Sequence, residues 1–384
     1  MRNKALPYYS FLVLLWLSIS PHIQAQPTLQ FDGQVSAITS FSPDNTLDFF
    51  GGFRYIPELN FDWRLDSAKN QNFYLEGSAN ISGSTGFHPF DTSHTLGKID
   101  PYRIFVRYTG KRLEARLGLQ KIDFGSSSIM RPLQWFNQID PRDPLTLTNG
   151  VYAALGRYYF KSNANIWLWF LYQNEKSRGF DIMQTNKNIP EYGSRIQHPI
   201  PKGEIGFSYH HRTADSRNLP GIPSFEKIPE DRFGIDGKWD IGVGLWLEAV
   251  HIIKSKEVDF LTNQSLFNVG LDYTLGIGNG LHVIGEHMLL SYDKKAFEWS
   301  NPVNISALAL SYPLTLFDNI SCFANYQWSS KEPAFFLNYQ HQFAKVTGYV
   351  MAYYNPKTQQ GIQQNELIQT FSGPGLRLMV VYNH

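Results

Sequence analysis

From residue 27 to the end of the chain, apolar side chains recur at every second position. Leu59, Phe61, Trp63 and Leu65 alternate with Asn60, Asp62, Arg64 and Asp66, and Phe73, Leu75, Ala79 and Ile81 alternate with Tyr74, Glu76, Ser78 and Asn80. Successive side chains on a strand point to opposite faces, so each segment has one apolar and one polar face. Neither a helix nor a soluble loop produces that pattern over a whole chain.

The spacing between these segments carries a second regularity. Short connections are expected near residues 67, 110, 162, 200, 242, 278, 315 and 344, and the intervening ones are mostly long: 83–101, 122–149, 174–190, 212–230 and 355–373. Short turns at one end and long loops at the other are the mark of a transmembrane barrel, and a soluble sandwich has no reason to keep that parity. The chain is therefore predicted to be all-β, a transmembrane antiparallel up-and-down β-barrel of about 18 strands, or about 16 if 191–199 or a weak C-terminal strand is loop. Closure is what lets a sheet enter lipid, which cannot hydrogen-bond an exposed strand edge. Trp63, Tyr102, Tyr108, Tyr158, Tyr172, Tyr273, Tyr312, Tyr354 and Tyr382 fall at or near predicted strand ends, where amphipathic rings favour the headgroup zone.

The N-terminus adds the route. Arg2 and Lys4 precede an apolar run from Phe11 to Ile19, then Pro21 and the small-residue site Ile23-Gln24-Ala25. This reads as a signal peptide over 1–25, cleaved before Gln26, with the barrel occupying 26–384 as one domain. The run is too short to span about 30 Å of hydrocarbon as a helix. Export and barrel architecture together place the chain in the cell outer membrane of a Gram-negative bacterium. Cys322 is the single cysteine, so no intramolecular disulfide can form. A net charge of +1 argues against nucleic acid as a partner and against a polybasic membrane contact.

The stretch "YTGKRL" tests the pattern. Taking Gly110-Lys111 as a two-residue type II′ turn pairs Tyr108 with Leu113, Val106 with Ala115, Ile104 with Leu117 and Tyr102 with Leu119 on one face. Arg107 then meets Glu114, Phe105 meets Arg116 and Arg103 meets Gly118 on the other. Turn chemistry alone sorts the apolar residues from most of the polar ones.

No catalytic motif, metal cluster or cofactor site stands out. The glycine run 276–280 joins two predicted strands and reads as a hairpin turn. His210 and His211 are adjacent on a strand and face opposite sides; His282 and Glu286 share a face, but about 13 Å apart along the strand. Ser208 and His210 share a face, with no orienting carboxylate assignable, so a hydrolase is a minor alternative. Charges expected to face the lumen are more informative. Arg103, Arg107 and Arg116 gather on one hairpin face with Glu114, while Asp62, Arg64, Glu76, Asp236, Lys238, Glu248 and Glu286 add both signs. They either pair as a solvated interior or form an arginine ladder favouring anionic solutes, since guanidinium groups bind carboxylates and phosphates through paired donors.

One stretch fits neither helix nor strand. "LGLQKIDFGSSSIMRPLQWFNQIDPRDPL" at 117–145 ends a strand, breaks at Gly125 and becomes the third long loop. Gly118, Gln120, Phe124, Gly125, Asn137, Asp140, Pro141 and Asp143 resemble a pattern of alginate-export-like and related bacterial outer-membrane porins. Phe124 stands where that pattern often has Trp, Asn137 is separated from Asp140-Pro141, and the C-terminal "GLRLMVVYNH" resembles a barrel-assembly signal but ends in Asn383-His384. The resemblance implies a third loop that folds inward and narrows the pore. Lys121, Asp123, Arg131, Asp140, Arg142 and Asp143 would then form the constriction, joined on the wall by Arg103, Arg107, Glu114 and Arg116, with Trp135 and Phe136 packing the loop. A rim-bound structural loop is the alternative.

The expected function is an outer-membrane porin passing small hydrophilic, in one reading anionic, solutes without bond-making chemistry, as a monomer or homotrimer among outer-membrane lipids and folded by the barrel-assembly machinery. The alternative is a plugged barrel that binds or exports surface polysaccharide, with Tyr192, His198, Phe225 and Trp299 as stacking residues.

Overall fold

The computed structural model describes residues 27–43, 47–66, 71–88, 93–356 and 373–384; the expected signal peptide lies outside the described residues. The strands are β1 (Pro27–Phe41), β2 (Phe49–Asp66), β3 (Gln71–Phe87), β4 (Ser93–Thr109), β5 (Leu113–Gln120), β6 (Val151–Tyr159), β7 (Asn165–Leu171), β8 (Gln184–Thr185), β9 (Glu191–Ile200) and β10 (Gly203–Asp215). They continue as β11 (Ile228–Asp240), β12 (Gly244–Lys254), β13 (Asn263–Leu275), β14 (Leu281–Asp293), β15 (Val303–Pro313), β16 (Asp318–Gln327), β17 (Glu332–Gln342), β18 (Val346–Asn355) and β19 (Gly373–Asn383).

Each long strand pairs antiparallel with its neighbours in the chain, β7 pairing with β9, and β19 returns to pair with β1 from Gln34↔Asn383 to Phe41↔Leu376. The two-residue β8 sits on the end of β10. Among the described residues, eighteen strands therefore form one closed barrel. Glu191–Ile200 is one of them, which decides against sixteen.

Alternation sets inside from outside. On β19, Leu376, Leu378 and Val380 are exposed on the outer face, whereas Arg377, Met379 and Val381 are buried inside. On β7, Leu168 and Phe170 face out, and Trp169 and Leu171 face in. The exterior apolar girdle has no water-soluble explanation and marks the surface that meets lipid.

Two expectations are corrected. The segment 83–101 is not a long loop: β3 runs on to Phe87 and β4 begins at Ser93, with Thr85 facing Thr95 and Gly83 facing Gly97. With 17 residues each, β3 and β4 exceed the roughly 9–11 that cross a bilayer, so they project beyond it. Out there neither face meets lipid or a core. The ladder needs only backbone, and the Ser/Gly/Thr run 82–86 carries no alternation to read.

The second correction is register. The Gly110 N–H donates to the Leu113 carbonyl at 2.7 Å, so Lys111 and Arg112 form the turn. Tyr108 then faces Ala115, Val106 faces Leu117 and Ile104 faces Leu119. A slip of two residues preserves every face but changes every partner. Arg107 now stands opposite Arg116, not Glu114. Gly110 serves as a clearance: a Cβ there would lie 3.1 Å from the Tyr108 hydroxyl.

The core is inside the barrel. Met288, Leu290, Ile305, Phe323, Phe336, Met351 and Met379 line the inner face of β14–β19 and join Ile129, Met130, Leu133, Trp135 and Phe136 from the loop 121–150 in one buried cluster. Strands of this half are apolar on both faces, which a water-filled lumen would not require.

Candidate functional site

The porin-like motif forms the root of the inward loop. Gly118 sits at φ +125°, and a Cβ there would lie 2.2 Å from the Ile104 carbonyl oxygen. The Gln120 amide donates to the Ala153 carbonyl at 2.9 Å, and Asn137 Nδ2 donates to the Ile122 carbonyl at 2.7 Å. Phe124 stacks on Trp169 at 5.4 Å between ring centroids and meets Trp135 and Phe136 edge-on. Gly125, at φ +108°, turns the chain so close to Glu248 that a Cβ would fall 2.5 Å from its Oε1. These residues are engaged with the protein's own backbone and rings. They steer the chain off β5 and into the lumen.

Two carboxylates on the far wall then hold the loop tip. Glu286 on β14 accepts the backbone N–H groups of Ser128 (2.7 Å), Ile129 (2.9 Å) and Met130 (2.7 Å), and is steadied by Trp246 Nε1 (3.0 Å) and Asn268 Nδ2 (3.1 Å). Glu248 on β12 accepts the N–H of Ser127 at 2.7 Å and of Leu133 at 3.1 Å. The Ser126 hydroxyl donates to Asp236 at 2.9 Å. Consecutive backbone N–H groups curled around an oxyanion form a nest, here filled by the protein's own side chains. Trp135 and Phe136 pack on His210, and Phe136 meets Trp169 as well. The loop is thus inside the barrel and not on its rim.

The segment between β7 and β9 folds in above it. The Gly179 carbonyl accepts from Gln138 Nε2 at 3.2 Å, and Asp181 pairs with Arg212 (2.9 Å) and Arg232 (2.7 Å), both also held by Glu230. Arg178 pairs with Glu191.

The ten residues expected at the pore separate into groups. Arg103 is buried and donates to the Thr148 carbonyl (2.9 Å) and hydroxyl (2.7 Å), closing the far end of the loop. Asp140 and Arg142 form a two-pronged pair within the loop, at 2.9 and 2.7 Å. Asp143 accepts the Leu145 N–H at 3.0 Å, and burial raises its carboxyl above its ordinary value. All four are buried. Asp123 on the loop, half-exposed, pairs with Lys121 at 3.2 Å and with Arg131. Arg107, Glu114 and Arg116 come together on the wall of β4 and β5, where Arg157 of β6 joins them: Glu114 Oε1 is 2.8 Å from Arg116 Nε and 3.4 Å from Arg157 Nη1. Arg157 carried no signal in the sequence, because both faces of 151–158 are apolar and period two could not choose between them.

The minor alternatives come apart. Ser208 and His210 do share the inner face, but both are fully buried; Ser208 Oγ accepts from Arg195 at 2.9 Å, and His210 lies between Trp169 (3.1 Å) and Glu191 (3.1 Å). Tyr192 stacks on His211, two strand residues exposed or half-exposed on the outer wall, while Phe225 and Trp299 belong to different loops and His198 lies towards the short-turn end. They form no common surface. Among the described residues, no group of three or more His, Cys, Asp or Glu could hold a metal.

No family model matches the sequence, and no curated protein matches it either. Solved structures do. OmpT, an outer membrane protein of Vibrio cholerae in its trimer form, superposes with a TM-score of 0.50 at 9% identity, over 93% of this chain and 99% of that one. The chain has the porin fold. An anion-selective porin from Comamonas acidovorans matches at 10% identity over 94% of this chain and 100% of that one, TM-score 0.47, and a mutant of the Rh. blastica porin at 11% over 93% and 100%, TM-score 0.45. At these identities the likeness is one of fold. A closed porin-type barrel with an apolar girdle is an outer-membrane architecture, and the chain is an outer-membrane β-barrel.

Proposed function

We propose that this barrel is a passive channel for small hydrophilic solutes, with the inward loop 121–150 as its constriction and no bond-making step. The carrying observation is the one-sided filling of the lumen. The loop is pinned to β12 and β14 by Glu248 and Glu286, while the inner wall of β2–β6 keeps half-exposed charged and polar groups, among them Glu58, Tyr74, Arg107, Glu114, Arg116 and Arg157. A solute passing between that wall and the loop's Lys121, Asp123 and Arg131 would be selected by width and by local charge. The Vibrio cholerae neighbour is described in a trimer form, which makes a homotrimer part of the reading.

Refolded protein added to a planar bilayer should give discrete conductance steps, and removal of residues 126–136 should enlarge them. Complete absence of steps from protein that migrates as folded barrel would sink the channel. Unheated samples should run as an oligomer on detergent gels; a monomer band alone would remove the trimer.

A further inference from the structure

Arg107 and Arg116 face each other directly across the β4–β5 ladder, and Arg157 stands opposite Glu114 on the next strand pair. Like charges placed opposite on one sheet face are destabilising unless something lies between them. Glu114 is the carboxylate in ion-pair contact with this group, both of its pairs falling on one oxygen, Oε1, while Glu76 acts on Arg107 from farther off. Elsewhere on this wall, Asp62 accepts from Asn72 and Glu76 from Tyr74.

The guanidinium planes are also held. Arg157 lies over the Trp167 ring at 3.7 Å, with Trp167 Nε1 fixed by Asn165 at 2.7 Å, and Arg107 lies over the Tyr74 ring at 4.5 Å. Nε of Arg107 and Nε of Arg157 are buried without a hydrogen-bond partner among the described residues. Stacked, pre-oriented and donor-rich arginines suit an oxyanion that accepts two N–H bonds in one plane. The cluster is open: the side chains of Arg116, Glu114 and Arg157 remain 18%, 15% and 13% exposed. It lies near the turns 110–112 and 160–164, at the short-turn mouth.

We propose that Arg107, Arg116 and Arg157 form a binding subsite for anionic solutes bearing a carboxylate or a phosphate, at the short-turn mouth of the lumen. The site deepens the channel reading by naming the solute class, and rests on it for transport but not for binding. A ligand arriving there holds the two facing arginines together, and Glu114 sets the threshold by neutralising one charge.

The test uses refolded full-length barrel in detergent, titrated calorimetrically with inorganic phosphate and with succinate against a chloride background. Saturable binding of either oxyanion is expected, weakened at least tenfold in Arg116→Gln and in Arg157→Gln. In the charge-preserving pair Arg116→Lys with Arg157→Lys the loss should be several-fold, because ammonium groups lack the planar fork. Heat-modifiable migration certifies the fold of each variant. No oxyanion binding above chloride in the wild type, or equal binding in a folded Arg107→Gln/Arg116→Gln/Arg157→Gln protein, overturns the site. Arginine-dependent binding by a barrel that never conducts would overturn the channel and leave the site standing.

Discussion

Replacing Glu286 by Gln keeps the shape of the anchor and removes its charge, so it isolates what the carboxylate does for the loop. Oε1 takes the N–H groups of Ser128 and Ile129 and the Trp246 indole; Oε2 takes Met130 N–H and Asn268. A glutamine amide has one acceptor oxygen. Whichever way it is turned, an NH2 group faces at least two donors. Hydrogen bonds to a charged acceptor contribute about 1.5–3 kcal/mol each, so two lost bonds cost on the order of 3 kcal/mol or more, a factor of about 100 in the opening of the loop tip. Leu133, Trp135 and Phe136 stay packed, so the opening is local to 126–131. The N–H groups of Ser128, Ile129 and Met130 are shielded from exchange while they donate to Glu286. When opening and closing are fast, hydrogen exchange follows the open population, so exchange of these three amides should speed up roughly a hundredfold in Glu286→Gln, with the barrel still heat-modifiable. Glu204→Gln, an exposed glutamate on β10, is the control. If these amides exchange equally slowly in wild type and Glu286→Gln, the carboxylate nest does not hold the loop and the constriction needs another explanation.

Three further outcomes follow from the same geometry. Leu168→Arg puts a charge on the lipid face of β7, where Leu168 is 61% exposed, and should lower refolding stability by about 2–4 kcal/mol in a urea titration in lipid; an unchanged midpoint would mean that this face does not meet lipid. Gly118→Val meets both a φ of +125° and the Ile104 carbonyl, so folded barrel yield should fall sharply, and full yield would refute the hinge at the loop root. Burial raises the Asp143 carboxyl, so docking the loop takes up a proton. Docking should gain as pH falls through that raised value and lose the gain as pH rises through it, seen as slower hydrogen exchange of the loop amides once intrinsic rates are corrected; Asp143→Asn should abolish the trend.

Strand number and facing were legible because lipid favours apolar side chains on the outer face, as at Leu168, Phe170, Leu376, Leu378 and Val380, and that leaves a period of two. What lies beyond the bilayer is under no such constraint, so the Ser/Gly/Thr ladder of β3 and β4 read as loop. The hairpin at 110–113 shows a subtler limit. Parity fixes a face but cannot tell a register from one two residues away, and that slip separates an Arg107–Glu114 pair from an Arg107–Arg116 confrontation. The direction of loop 121–150 was undecided in sequence, yet Ile129, Met130, Leu133, Trp135 and Phe136 are poor company for solvent. The matching clue was the doubly apolar character of β14–β19, where Met288, Phe323 and Phe336 face inward. Arg103 shows why charge alone misleads: the same guanidinium that suits a pore serves here as a clasp on Thr148.

The carboxylates that hold the loop are encoded long after it. Glu248 lies 121 residues beyond Ser127, and Glu286 158 beyond Ser128. Contacts so distant form late, because chain closure must precede them. The tip of the loop, with its row of N–H groups, is therefore secured only once β12 and β14 are in place. The constriction is thus completed by the second half of the barrel: strands β12 and β14 must be in the wall before the loop that narrows the first half has its anchors.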